Sequence, residues 1–312
     1  MKTLVTGGAG FIGSNLVQRL LREGHDVTVL DNLSSGYRVN LRPFPEARLL
    51  IGDVRDTSVV EQAVNGVEVV FHLAASVGNT RSIEHPMIDA ETNVLGTLNV
   101  LESARRNRIR KIVFSSSAGI FGELKTLPIR EDHGVEPDSP YGATKLCAEK
   151  LCLAYAKLYD LEAICLRYFN VFGVNQRYDA YGNVIPIFAY KLVFGQPITI
   201  FGDGEQTRDF INVRDVANAN YLAGMSQGVS GAFNLGSGAR ITINELVKKM
   251  QTVSGLSTQV AHGPPRKGDV RHSLADISAL SSATGFRPQI DFDEGLTEYM
   301  EWAKIAFKAD CA

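Results

Sequence analysis

"TLVTGGAGFIGSNL", residues Thr3 to Leu16, carries the reading of the whole chain. A short β-branched run meets glycines at G-x-x-G-x-x-G spacing, Gly7, Gly10 and Gly13. A helical pattern comes next, with Ile12, Leu16 and Leu20 on one face. A strand, a glycine loop and a helix in that order leave backbone amides at the positive helix end, where a pyrophosphate can sit. Taken alone the glycines are weak evidence, because a ligand-free turn reads the same way. Asp31 strengthens them, closing the next apolar run, DVTVLD (26–31). A carboxylate at that place accepts from both ribose hydroxyls and repels a 2′-phosphate, so the expected cofactor is NAD rather than NADP. Asp53, ending RLLIGD (48–53), is placed to reach an adenine edge; the other reading is a cap on the next turn.

Outward from this loop, apolar runs alternate with helical ones. VEVVFHLA (67–74), KIVFSSS (111–117) and EAICLRYFN (162–170) read as further strands. Two longer helical patterns lie between the later runs. One spans about 88–106, with Val94, Leu98 and Leu101 expected inward. The other spans about 140–158, with Ala143, Cys147, Leu151, Ala154 and Leu158 at helical spacing on an apolar face. Strands alternating with helices imply parallel pairing and right-handed crossovers. The expected fold is α/β: a Rossmann-type doubly wound parallel sheet with a smaller mixed α/β substrate lobe. Residues 1–170 form the NAD-binding domain, with returns near 205–235 and 274–290. Residues 171–204 and 236–312, where Gly and Pro punctuate shorter elements, form the second lobe.

Composition excludes other classes. The 312 residues carry a net charge of −2, which gives no electrostatic case for nucleic acid. No apolar run approaches a membrane span, and the N-terminus runs straight into a strand pattern, so a cytoplasmic protein is expected. Cys147, Cys152, Cys165 and Cys311 show no CxxC spacing and read as reduced thiols. His25, His72, His85, His133, His262 and His272 are scattered, so no metal site is expected.

"SPYGATK" (139–145) puts Tyr141 and Lys145 four residues apart, on one helix face. A phenol with a pKa near ~10 is a poor base at neutral pH, and a nearby ammonium stabilises its phenolate. Upstream, "FSSSAGIFGE" (114–123) ends a strand in hydroxyls instead of turn residues. A dinucleotide loop, a serine-tipped strand and a Tyr–Lys pair together favour a catalytic site over a solvated helix face.

These stretches, with "GDVRD", "HLAA", "TNVLGTLNVLE", "RYFNVFG", "RDFINVRDVA" and "GDVRHSLAD", resemble the extended short-chain dehydrogenase/reductase superfamily, in its NAD-dependent nucleotide-sugar epimerase/dehydratase branch. The likeness runs over nearly the whole chain. It implies Tyr141 as the active-site base, Lys145 as its modulator and ribose ligand, and Ser117 as the hydroxyl bridging tyrosine and sugar oxygen. For the cofactor groove it implies Gly7, Gly10, Phe11, Ile12 and Gly13, then Asp31, Asn32, Asp53 and Val54. Leu73, Ala74, Ala75, Asn93, Ser115, Tyr141, Lys145 and Tyr168 complete that groove. On the substrate side it implies Ser76 and Asp269, the diphosphate ligands Asn170, Arg208 and Arg266, and the uracil contacts Asn183, Val184, Thr199 and Phe201. Such proteins commonly form homodimers through a four-helix bundle of the two long helices.

The branch begins by oxidising a sugar hydroxyl at C4, and the fate of the keto sugar depends on further acid–base groups. By the resemblance, 4,6-dehydratases carry Asp-Glu after the hydroxyl and pentose-forming decarboxylases carry Glu. Ala118 and Gly119 stand there and can move no proton. The expected reaction is therefore epimerisation at C4 of a UDP-hexose, with NAD regenerated. Ser273, seven residues beyond Arg266, is small where a bulky wall restricts related enzymes to plain hexoses, so N-acetylhexosamines are also expected. "SVGNTRSIEHP" (76–86) departs from the family form and keeps open a UDP-glucuronate 4-epimerase, with Arg81 or Arg271 meeting the carboxylate. A 4-keto nucleotide-sugar reductase or 4,6-dehydratase is the other alternative.

Overall fold

The structure, a computed structural model, describes residues 1–179, 182–265 and 270–310. The first elements are β1 (Lys2–Thr6), α1 (Phe11–Arg22), β2 (Asp26–Asp31), β3 (Arg48–Ile51), α2 (Thr57–Val64) and β4 (Val69–His72). Next come α3 (Asn79–Glu84), α4 (Pro86–Ala90), a π turn (Glu91–Leu95), α5 (Gly96–Arg106) and β5 (Lys111–Ser117). After these lie α6 (Pro140–Leu158), β6 (Glu162–Tyr168), β7 (Asn170–Phe172), α7 (Val184–Val193), β8 (Ile198–Phe201) and β9 (Thr207–Arg208). The chain continues with β10 (Phe210–Asn212), α8 (Val213–Met225), β11 (Gly231–Leu235), β12 (Ile241–Thr242) and α9 (Ile243–Ser254). It closes with β13 (Val260–Gly263), α10 (Ser278–Thr284) and α11 (Phe292–Asp310).

Seven strands form the main sheet in the order β11-β6-β5-β4-β1-β2-β3, every pair parallel. This is the doubly wound sheet expected from the alternation of runs. The winding reverses between β1 and β4, and the crevice beyond their carboxyl ends is where such sheets bind ligands. Two apolar layers cover the sheet. One joins Leu16, Leu20, Val29 and Phe71 to Val216 and Ala219 of α8. The other joins Val70, Val100, Leu101, Phe114 and Cys165 to Ala148 and Cys152 of α6. A separate core, with Phe172, Phe188, Ile200, Phe210, Met250, Leu296 and Phe307, holds α7, α9, α11 and the short paired strands. There β8 pairs with β13 and β9 with β12.

The faces of the two long helical patterns follow from their partners, and the inward set expected over 88–106 is corrected. On α6 the buried residues are Gly142, Lys145, Ala148, Glu149 and Cys152, whereas Ala143, Cys147, Ala154 and Leu158 are exposed, Leu158 by 71%. The apolar stripe thus faces outward and the polar one inward. The reason is that the inward charges have partners: Glu149 takes both Nε and Nη2 of Arg167, at 3.0 and 2.8 Å, and Lys145 lies over the Phe114 ring. The 88–106 pattern is helical throughout, with a π turn between α4 and α5. The π turn re-phases it, so Leu101 is buried while Val94 and Leu98 are half-buried.

Candidate active site

The glycine loop is built for close approach. Gly7 has φ +70°, and a Cβ there would lie 2.8 Å from the Ala74 amide nitrogen. A Cβ on Gly13 would lie 2.1 Å from the Gly7 carbonyl, so no side chain fits at the first turn of α1. The Gly10 cap supplies no side-chain acceptor to that turn, which leaves its amides, at Phe11 and Ile12, for an anion. Asp31 is buried and its two oxygens accept from the Ala9 and Leu33 amides at 2.9 and 2.8 Å. Burial pushes its carboxyl above the usual range, partly offset by those amides. These features, an orphaned amide turn and a carboxylate at the end of β2, fit a dinucleotide.

Asp53 is more committed. Its carboxylate accepts from Nε and Nη2 of Arg55 and from Nδ2 of Asn32, at 2.9, 2.8 and 2.8 Å. The Arg55 fork holds its carboxyl well below the usual carboxylate range. Asp53 also caps the next turn, its Oδ1 accepting from the Arg55 amide at 2.9 Å, while Asp56 accepts from the Ser58 and Val59 amides at the start of α2. Val54 is buried against Gly96.

Local chemistry explains where α6 begins. Ser139 accepts from the Gly142 amide at 3.1 Å and Pro140 occupies the first helical position, where no N–H is needed. That start places Tyr141 in the first turn and Lys145 one turn on. The Tyr141 amide donates to Ser82 Oγ at 3.0 Å. Burial pushes the Tyr141 phenol up to about 12; the Ser117 hydroxyl beside it favours ionisation, and the charge of Asp89 opposes it. Burial brings Lys145 down to about 8, against the pull of nearby groups that include Asp89. Its ammonium, 4.4 Å from the Phe114 ring centroid, receives no hydrogen bond acceptor from the described residues and so is available to a ligand.

The three serines divide by strand alternation. Ser116 points toward α6 and donates to Glu149 Oε2 at 2.7 Å. Ser115 is buried and Ser117 is partly exposed, its Oγ accepting from the Gly119 amide at 3.1 Å. A Cβ on Gly119 would lie 3.3 Å from Ser117 Oγ and 3.9 Å from the Tyr141 ring, so position 119 borders the Ser117–Tyr141 pair directly.

Asn93 lies in the π turn and clamps Ser76 on both sides: Oδ1 accepts from its amide at 2.8 Å and Nδ2 donates to its carbonyl at 3.0 Å. The same Nδ2 donates to Thr144 Oγ1 at 3.1 Å. Leu73, Ala74 and Ala75 therefore run between this clamp and Gly7, along the crevice. Tyr168, paired in register with Ser117, is buried and donates its hydroxyl to Asn220 at 2.9 Å, away from open space.

On the second-lobe side, the side chains of Asn170 and Asn183 have no hydrogen-bond partner among the described residues, and Asn183 precedes Val184 at the start of α7 without capping it. Thr199 and Phe201 are on β8, Arg208 on β9, and Ser273, buried, donates its amide to the Thr207 carbonyl. Arg266 and Asp269 lie outside the described residues. Sequence reasoning missed Thr6, Ser82, Asp89, Thr97 and Thr144; only Thr144, between Tyr141 and Lys145 in "YGATK", was signalled by its position.

Residues 3–236 match the family model of the NAD dependent epimerase/dehydratase family. The chain belongs to that family. Its resident cofactor is accordingly NAD, and the glycine loop, Asp31 and Lys145 are the groups that would hold it. A UDP-glucose 4-epimerase of Mycolicibacterium smegmatis is 38% identical over 309 residues, covering 97% of this chain and 98% of its own. A Thermotoga maritima UDP-glucose 4-epimerase, solved with UDP-glucose, superposes with TM-score 0.93 at 37% identity over all of both chains. A UDP-N-acetylglucosamine 4-epimerase of Methanobrevibacter ruminantium, in complex with UDP-N-acetylmuramic acid, has the same TM-score and identity over 99% of this chain and 98% of its own.

Proposed function

We propose that this family member interconverts UDP-hexoses epimeric at C4, UDP-glucose with UDP-galactose and also their N-acetyl forms, through a transient 4-keto sugar. The carrying observation is the position of Gly119 against Ser117 and Tyr141: neither it nor Ala118 beside it has a side chain that could move a proton at C5 or C6. NAD, when bound, would supply reversible hydride acceptance at C4; the epimer results when the keto sugar turns over in the site and takes the hydride back on its opposite face. Tyr141 removes and returns the O4 proton, with Ser117 bridging to the sugar oxygen. Lys145, protonated, holds the phenolate and the cofactor ribose. Asn170, Arg208 and Arg266 grip the diphosphate, and Asn183, Val184, Thr199 and Phe201 take the uracil. Ser76 and Ser273 border the sugar, and a small side chain at 273 supports the N-acetyl extension.

The glucuronate reading is disfavoured by ion pairing. Arg81 Nη2 is 2.7 Å from Asp179, and Arg271 grips Asp203 through both terminal nitrogens at 2.7 and 2.8 Å. Neither arginine is idle for a substrate carboxylate. The test is NMR of purified protein with UDP-glucose, UDP-GlcNAc and UDP-glucuronate in separate incubations. Epimers of the first two are expected; a 4-keto-6-deoxy or pentose product, or unchanged sugars, overturns the reading. We further propose a cytoplasmic homodimer paired through α5 and α6. Its support is the outward apolar stripe of α6 and the exposed Met87, Ile88 and Leu95. Among the described residues no helix is long and apolar enough to cross a membrane. A sedimentation mass of one chain would remove the dimer.

A further inference from the structure

Asp89, on α4, is 0% exposed, and it is not among the groups assigned to the chemistry above. Its Oδ2 accepts from Thr144 Oγ1 at 2.5 Å, and its Oδ1 has no hydrogen-bond partner among the described residues. A buried acid with a purely structural task looks different in this protein. Asp209, equally buried, accepts from the Ser237 amide and hydroxyl, the Gly238 amide and the Ala275 amide. Asp89 has one donor, and that donor is the residue immediately before Lys145.

We propose that Asp89 is a positioning residue for the Tyr141–Lys145 pair, acting through Thr144 and through its own buried charge. This rests on Tyr141 being the base of the proposed reaction. Thr144 has a single hydroxyl proton, and donation to Asp89 fixes where it goes. Its lone pairs are then turned to Nδ2 of Asn93, whose remaining proton reaches the Ser76 carbonyl. Asp89 therefore sets the direction of a hydrogen-bond chain from the catalytic helix to the wall of the cofactor crevice. Reversal of Thr144 onto the Tyr141 carbonyl, 3.0 Å away, is the alternative that the carboxylate suppresses.

The charge acts alongside. Elements packed against α4 present Arg81 and Glu84 on α3, Glu91 on the π turn, and Tyr141, Lys145, Glu149 and Lys150 on α6; His85 precedes α4. Arg81 is paired with Asp179, Glu91 with Arg55 and Glu149 with Arg167, while Glu84, His85 and Lys150 are exposed. Tyr141 and Lys145 remain, and the charge raises both, delaying the phenol's ionisation and keeping the ammonium protonated.

Asp89→Asn separates these effects from folding. With melting temperature and bound NAD unchanged, both limbs of the pH–kcat profile for UDP-glucose are expected to move toward acid by roughly half a unit or more. Limbs that stay in place, whatever the rate, overturn the charge role. Thr144→Val is expected to lower kcat at least ~10-fold with KM and limbs preserved, and Thr144→Ser to restore it; wild-type kcat in Thr144→Val overturns the positioning role. That second pair decides the matter even if Asp89→Asn does not fold. A wild type inactive on every UDP-hexose would condemn the proposed reaction, whereas an active wild type with unmoved limbs condemns the Asp89 role alone.

Discussion

The Thr6 hydroxyl is 2.7 Å from Nδ1 of His72, at the point where β1 and β4 end and the crevice opens. Thr6 Oγ1 also accepts from the Leu73 and Ala74 amides, at 3.2 Å each, so its proton goes to the imidazole. On the other side Nε2 meets Thr97 Oγ1 at 3.0 Å, and Thr97 donates to the Asn93 carbonyl at 2.6 Å. The pattern is consistent only with a neutral ring protonated on Nε2. His72 is thus a core residue in function as well as place, tying the glycine loop to the Asn93 turn.

Burial, with the Lys145 charge adding to it, pushes His72 down to about 3 from an ordinary 6.5. A depressed histidine takes its proton first in the unfolded chain, so its contribution is intact above pH 6.5 and is lost as pH falls toward 3. At ~1.4 kcal/mol per unit the gap is worth at most about 5 kcal/mol. Urea midpoints measured from pH 7 to pH 4 are expected to fall less steeply in His72→Gln than in the wild type. Parallel slopes would show that the ring is not the group being titrated.

Glu149 and Arg167 form a buried pair that also holds Ser116, next to Ser117. Removing one partner strands the other charge without water. Glu149→Gln is expected to cost about 3–5 kcal/mol in denaturant unfolding. Glu149→Gln with Arg167→Met should recover a substantial part of that loss. A single variant as stable as the wild type would contradict the pairing.

Gly119 tests how tightly the serine is held. The new methyl in Gly119→Ala would meet Ser117 Oγ at 3.3 Å, and the side chain that can yield is Ser117 itself. Turnover is expected to drop about 10-fold or more, with a melting temperature within a few degrees of wild type. Equal turnover would place Ser117 outside the reaction.

Tyr141→Phe removes the proposed proton acceptor while leaving the glycine loop, Asp31 and Lys145, the other groups proposed to hold the dinucleotide. A fall in kcat of roughly 10²–10⁴ is expected, with NAD still released on denaturation. In the wild type, Lys145 near 8 predicts that kcat declines above about that pH as the ammonium is lost. A rate flat to pH 10 would remove the lysine from the chemistry.

Much of this protein is written in local pattern. Gly7, Gly10 and Gly13 before a helix, and Ser139-Pro140 before Tyr141 and Lys145, act within one turn of chain, so residue type and spacing suffice to read them. The alternation of apolar runs likewise identifies a parallel sheet, because each run must be covered on both faces. What only the tertiary structure decided is which groups face each other across the fold. The apolar stripe of α6 points outward because Arg167, from β6, and Phe114, from β5, supply partners that let Lys145 and Glu149 face in. Asp89 meets Thr144 across 55 residues, and Thr6 meets His72 across 66. Such contacts depend on how helices and strands are brought side by side, and no periodicity within either segment records its partner.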